Sequence, residues 1–306
     1  LAERCPSRSA RQRRTERGRV CAHHGRVART YLKIGFSLQR DEDGLSCGMA
    51  LRITDEQWEQ IRTHFPEEHH PDDRPGRKPV PARQILEGAL WILNTGAQWH
   101  MLPQCHPDRK TVHRRFQQWC RNDVLRRALC GLANTSRDSG AMDETECFID
   151  ATFAPAKGGG DGIGPARRGK GVKIMGIADR NGLPPAVSTH AANHHEVTLV
   201  QLTSGFHMIE ARPEKLIGDR AYDSDKLDEE LREDGVEMIP PHRGNRTMRK
   251  TQDGRPLRRC KRRRLVERFR SWLQWHRRLV VRWEHYAENS PGFVQLASIC
   301  ILLERF

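Results

Sequence analysis

The 306-residue sequence has no apolar run approaching the roughly 20 residues that a bilayer-crossing helix requires. A membrane-spanning segment is therefore not expected. The first 48 residues are rich in arginine but lack the apolar centre of a secretory signal, which leaves the cytosol as the expected compartment. No two of the nine cysteines stand at C-x-x-C spacing and none is followed by histidine at zinc-ligand spacing, so they read as reduced thiols and not as a metal site. The adjacent pairs His23-His24, His69-His70 and His194-His195 point their rings apart on any helix or strand, which argues against metal ligation by them. "GKGVK" has no Walker spacing and no Ser or Thr after its lysine, so no nucleotide cofactor is expected.

Acidic residues are scarcest in one place. Residues 242–283 carry 16 Lys or Arg against Asp253 and Glu267 alone, and that excess equals the net charge of +14 for the whole chain. A basic block of this density suits a polyanion, for which phosphate backbone is the commonest choice. A solvated charged loop is the alternative that composition alone leaves open.

Residues 1–48 show no sustained periodicity and are expected to be a disordered or non-native basic extension. From residue 49 a globular pattern begins. "TDEQWEQIRTHF" sets a cap before Trp58, Ile61 and Phe65, and Ile85, Ala89, Ile92 and Leu93 mark one face of a second helix that stops near Gly96. A third helix buries Val112, Phe116 and Trp119 while presenting Arg114 and Arg115 on other faces. Three short helices with a basic last one predict a helix-turn-helix-like DNA-binding unit over residues 49–135, and a bundle that caps a larger domain fits the same pattern.

Between Cys147 and Pro241 the pattern becomes strand and turn. "ECFIDATFAP", "GVKIMGIAD" and "PPAVSTHAA" predict three strands in a meander, the last two joined at "RNGL". A helix over 196–209, the strand "KLIGD", the helix "SDKLDEELRED" and the strand "VEMIPP" follow. That order is mixed α/β, in which a later strand can pair beside the first. Asp150 and Asp219 then lie near the ends of two strands, and their convergence would need a cation; oxygen ligands without Cys or His favour Mg²⁺ or Mn²⁺. A long helix over 262–283, packed through Leu265, Phe269, Trp272, His276 and Leu279, supplies a third acid in Glu267, flanked by Arg263, Arg270 and Arg278. An i, i−4 ion pair with Arg263 is the ordinary alternative for Glu267.

"FIDATFAP", "IGPARRGKGVKIMGIAD", "IGDRAYDSD" and "RRCKRRRLVERFRSWLQWHRRLVVRWEHYAEN" resemble the successive motifs of DDE transposases from bacterial insertion sequences of the insertion-sequence-five group. "GALWILNTGAQWHMLP" and "TVHRRFQQW" resemble the helical domain ahead of the catalytic core in that group. The resemblance runs from about residue 50 to about residue 305. It implies an RNase H-like α/β domain over 143–306, a mixed sheet with flanking helices, interrupted by a basic loop at 242–261. It further implies that Asp150, Asp219 and Glu267 are the catalytic triad holding two Mg²⁺ or Mn²⁺ ions, with Asp223 and Asp225 as turn and helix-start acids. The implied activity is binding of terminal inverted repeats, metal-dependent strand cleavage and transfer of the 3′-hydroxyl end to target DNA by a homo-oligomer associated with the nucleoid. Arg114, Arg115, Lys170, Lys173, Arg263, Arg270, Arg277 and Arg278 are the expected DNA contacts. Cys260 and Gln274 stand where the family's third motif has Tyr and a basic residue, and Pro291 stands where a helix is due. These departures also suit a non-catalytic DNA-binding remnant.

Overall fold

In the computed structural model, which describes residues 36–37, 50–69, 78–205, 212–244, 246–247 and 254–304, Thr54 caps helix α1 (Asp55–Ile61) as expected. Its hydroxyl accepts from the Gln57 amide, and the Gln57 side chain accepts from the Thr54 amide in return. Helix α2 (Ala82–Thr95) ends at Gly96, whose φ of 69° is the left-handed conformation a helix stop favours. Asp108 caps α3 (Arg109–Arg121) by accepting from the Lys110 and Thr111 amides. A fourth helix, α4 (Val124–Asp138), then leads toward the sheet. Nearly all of the expected basic extension, the end of the helix expected to reach Ile209 and part of the basic loop lie outside the described residues.

The sheet contains β1 (Glu146–Pro155), β2 (Gly164–Ala166), β3 (Gly169–Ala178), β4 (Ala186–Ala191), β5 (Lys215–Ile217) and β6 (Glu237–Ile239). Its spatial order is β4-β3-β1-β5-β6, with β2 also on β3; β1, β3 and β4 are antiparallel, while β5 and β6 run parallel to β1. This is the RNase H-like mixed sheet that the motifs imply. Alternation along β1 sends Cys147 and Ile149 to one face, where they pack with Leu199 and Val200 of α5 (Glu196–Gly205) and Leu227 of α6 (Asp225–Glu233). Phe148 and Ala154 face the other way, toward α7 (Arg264–Trp275) and α8 (Asn289–Leu303).

The N-terminal helices share that second core. Phe116 of α3 packs on Phe293 of α8 with ring centroids 4.4 Å apart, and the buried Gln57 amide donates to the Leu303 carbonyl at 3.1 Å. Residues of α1 to α4 therefore bury their apolar stripes against the C-terminal helix and the sheet domain together.

The expected long helix over 262–283 is interrupted. Its backbone turns extended at His276 and resumes as the single turn Arg277–Val280. The fully buried stripe of α7 is Val266, Phe269 and Leu273; Leu265 and Trp272 are only partly buried at its flanks. Two interleaved apolar rows satisfy the same periodicity, and packing against the sheet selects one of them. Pro291 is harmless, since it falls in the first turn of α8, where its missing N–H has no helical partner to lose. Cys120, Cys130, Cys147, Cys260 and Cys300 are free thiols, whereas Cys105 departs from the expectation and is disulfide-bonded.

Glu144, two residues before β1, keeps Oε2 buried without a hydrogen-bond partner, and burial pushes its pKa from 4.5 up to about 7. A carboxyl whose folded value is raised contributes stability that is complete below its unfolded pKa and is lost as pH rises through the folded one. Glu144→Gln is therefore expected to stabilise the chain by about 1 kcal/mol at pH 8, after discounting for solvent screening of a half-exposed group, and to change nothing at pH 4. Thermal melts of both proteins at the two pH values check this.

Candidate active site

Asp150 lies in the middle of β1, not at its end as the sequence suggests, yet its surroundings resemble a strand end. The parallel neighbour β5 pairs only as far as Phe148 with Ile217, so the sheet opens beside Asp150. Asp219, two residues past Ile217, enters the same opening, and both acids line one cleft of about 570 Å³. Across β1, Asp150 stands opposite Gly176 of β3. A Cβ at Gly176 would meet the Phe269 ring at 2.5 Å, so the bare glycine lets α7 settle directly on the sheet. That approach brings Arg270, one residue on, to Asp150, where its Nη1 donates to Oδ2 at 3.1 Å.

The side chain of Asp150 is only 12% exposed. Burial raises its pKa, the Arg270 guanidinium opposes the rise, and the Asp219 charge adds to it. The Asp219 Oδ1 accepts from the Ala221 amide at 2.7 Å, capping the turn Arg220–Tyr222 and leaving Oδ2 for other partners. Arg167, Arg168 and Lys173 place positive charge along the same cleft. Two hard carboxylates in a cationic cleft suit a divalent, oxygen-seeking ion.

Glu267 is not among the residues lining this cleft. It lies on α7 one turn before Arg270 with its side chain exposed, and among the described residues no group of three His, Cys, Asp or Glu side chains stands close enough to hold a metal ion. The structure thus brings together Asp150 and Asp219 but not the third expected acid. Glu196 lines the cleft instead, pairing with Lys173 at 3.4 Å. Sequence reasoning missed it, although "HHE" between a strand and a helix start was the available signal.

The other acids of "DRAYDSD" have a different task. Asp223 is nearly buried and accepts from His242 Nδ1 at 3.0 Å, the Arg243 amide at 2.7 Å and Arg246 Nη1 at 2.8 Å. Although burial opposes it, the Arg243 amide and His242 hold its pKa below the usual carboxylate value. Asp225 opens α6 and accepts from Arg246 Nη2, so these acids clasp the start of the basic segment as well as starting a helix. Glu146 does the same at the far side of that segment, accepting from Arg259 at 2.6 Å and Arg262 at 3.0 Å.

The expected DNA contacts divide. Arg114, Lys170 and Arg277 are exposed, and Arg263 is half-buried. Lys173 reaches into the cleft, donating to the His194 carbonyl while it pairs with Glu196. Arg115 is held by the buried Glu67 at 2.9 Å, which also accepts from the Trp119 indole, so its charge is occupied in supporting α3. Arg278 corrects the expectation outright. It is 5% exposed, pairs with Glu284 at 2.6 Å and donates to the Ala97 carbonyl, out of reach of any phosphate.

An RNase H-like sheet carrying two carboxylates in a basic cleft defines an α/β protein of the nuclease and transposase type. The family model described as "Transposase DDE domain" matches residues 142–297, and that described as "Putative transposase of IS4/5 family" matches residues 53–129. The chain belongs to the DDE transposase family. It is 32% identical over 151 residues to a transposase assigned to insertion sequence element IS402 of Burkholderia cepacia, covering 46% of this chain and 67% of that relative. It is also 31% identical over 122 residues to the protein y4sN of Sinorhizobium fredii, covering 40% of this chain and 88% of that one. Among solved structures, a piggyBac transposase synaptic complex with hairpin DNA aligns at a TM-score of 0.35 and 10% identity, over 74% of this chain and 54% of that chain. Among the described residues no helix is long and apolar enough to cross a membrane.

Proposed function

We propose that the cleft between β1, β5 and α7 is a metal-dependent DNA strand-cleavage centre, in which Asp150 and Asp219 hold Mg²⁺ or Mn²⁺ and α7 supplies Glu267 as the third acid. The observation that carries this reading is the shared opening of Asp150 and Asp219 at the place where β5 stops short beside β1. Glu267 is the only acid on α7, one helical turn from the arginine already seated on Asp150. When bound there, divalent ions supply an activated oxygen nucleophile and neutralise the charge of the phosphate and the leaving oxygen.

The chain's own residues do the remaining work. Asp150 and Asp219 present hard oxygens from a rigid strand and a capped turn. Arg167 and Arg168 offer charge along the cleft mouth to a phosphate chain, and Asp223 and Glu146 clasp the two sides of the basic segment. Cleavage by water frees a 3′-hydroxyl at the element's end, and that hydroxyl then attacks target DNA, within an oligomer that pairs two ends. A duplex carrying the element's end is bound without metal and nicked when Mg²⁺ is added. A folded chain that binds that duplex and never nicks it in Mg²⁺ or Mn²⁺ is a DNA-binding remnant.

The exposed face of α3 is the proposed reader of the terminal repeat. Arg114→Ala is expected to weaken binding to the element's end and to lower the salt slope of log K by about one unit, because one phosphate contact is lost. An unchanged slope would make α3 a cap on the larger domain. Arg115→Ala is the poorer probe, since it strips the buried Glu67 of its partner.

A further inference from the structure

Arg270 sits on the very carboxylate that the proposed centre needs for its cation. The contact is a single one, Nη1 to Oδ2 at 3.1 Å, and its two ends differ: the Asp150 side chain is 12% exposed and the Arg270 side chain 42%. Asp150 is fixed in the middle of a ten-residue strand, while Arg270 reaches in from the solvent side of α7. A guanidinium with most of its donors free, at the edge of a cleft lined by Arg167 and Arg168, is able to swing outward without leaving the cleft mouth.

Building on the proposed metal centre, we infer that Arg270 is an exchangeable counterion: it neutralises Asp150 while the cleft lacks a cation, and passes to a DNA phosphate when a divalent ion takes its place. The physical reason is neutralisation. An ionised Asp150 beside Asp219 attracts the guanidinium, but a divalent ion shared by the two carboxylates cancels their charge and takes over the Asp150 oxygens, so nothing holds the guanidinium there. The released guanidinium then has a phosphate at the cleft mouth as its acceptor. A phosphate offers bidentate geometry that the single Asp150 contact does not use. Metal and DNA thereby help each other to bind, and by linkage the help is equal in both directions. Arg270 is in this sense a positioning residue that acts through Asp150.

Two binding measurements on the full chain test the exchange without reference to turnover. Mn²⁺ affinity is measured by calorimetry without DNA, and affinity for an end-bearing duplex is measured in chelator and in Ca²⁺. In the wild type, Ca²⁺ is expected to tighten DNA binding by about five- to tenfold, within the usual range of coupling between sites. Arg270→Ala is expected to bind Mn²⁺ about tenfold more tightly without DNA, because no internal cation must be displaced, and to lose most of the Ca²⁺-dependent gain in DNA affinity. Arg270→Lys keeps the charge and is expected to lie between the two, which separates loss of the counterion from damage to α7. A merely structural arginine predicts the opposite sign, with weaker Mn²⁺ binding in Arg270→Ala. Equal or weaker Mn²⁺ binding by the alanine variant overturns the exchange and leaves the metal centre standing. Wild-type protein that binds no Mn²⁺ at all overturns the metal centre itself.

Discussion

Asp219→Asn is expected to lower Mg²⁺-dependent nicking of an end-bearing duplex by about a thousandfold, since the several kcal/mol that a metal supplies to a phosphoryl transition state amount to about one decade of rate per 1.36 kcal/mol. The substitution is a clean one at this position. Asparagine retains an Oδ1 acceptor, so the cap on the Ala221 amide survives and with it the turn that carries residue 219 into the cleft. What is lost is the charge that a hard cation requires. DNA affinity in chelator should hold or rise slightly, because a carboxylate has been removed from the path of the phosphates. Nicking within tenfold of the wild type would reduce Asp219 to a turn-capping residue and would remove it from the proposed centre.

The second large effect is on stability. Arg278 and Glu284 form an almost fully buried ion pair at 2.6 Å, and Arg278 also donates to the Ala97 carbonyl just past the end of α2. The pair therefore ties the turn after α7 to the N-terminal helices. Arg278→Met leaves the Glu284 carboxylate buried and without its counterion, and is expected to cost about 3–5 kcal/mol. Adding Glu284→Gln removes the orphaned charge and should recover part of that loss. Urea denaturation of the two variants and the wild type measures both effects through the midpoint at constant slope. A loss below about 1 kcal/mol for Arg278→Met would mean that water reaches Glu284 and that the pair is no anchor.

Much of the fold could be read from the chain because its signals are local. Thr54, Gly96 and Asp108 mark helix ends through contacts with residues two to four positions away, and "RNGL" marks a turn by its own backbone demands. The order of strands follows from such signals once each strand has been found. Of the candidate site, only the shared cleft of Asp150 and Asp219 was legible, because both sit where predicted strands meet. Arg278 was misread because a basic residue in a basic ribbon looks solvated, and only the tertiary approach of Glu284 and Ala97 makes burial affordable. Glu196 was missed for the converse reason: a lone acid at a helix start is ordinary until β4 and α5 turn it toward Asp150 and Asp219. The break at His276 was hidden because the apolar period continues across it.

Oxidative self-cleavage of the chain by bound Fe²⁺ with ascorbate locates a hard-cation site independently of turnover, and so tests the assignment of the cleft most directly. With Mg²⁺ as competitor, polypeptide cuts are expected beside Asp150 and Asp219, with a further cut near Glu267 on α7, and all of them are expected to be suppressed as Mg²⁺ is added. Cuts confined to other parts of the chain, or no cuts above those of a denatured control, would contradict that assignment.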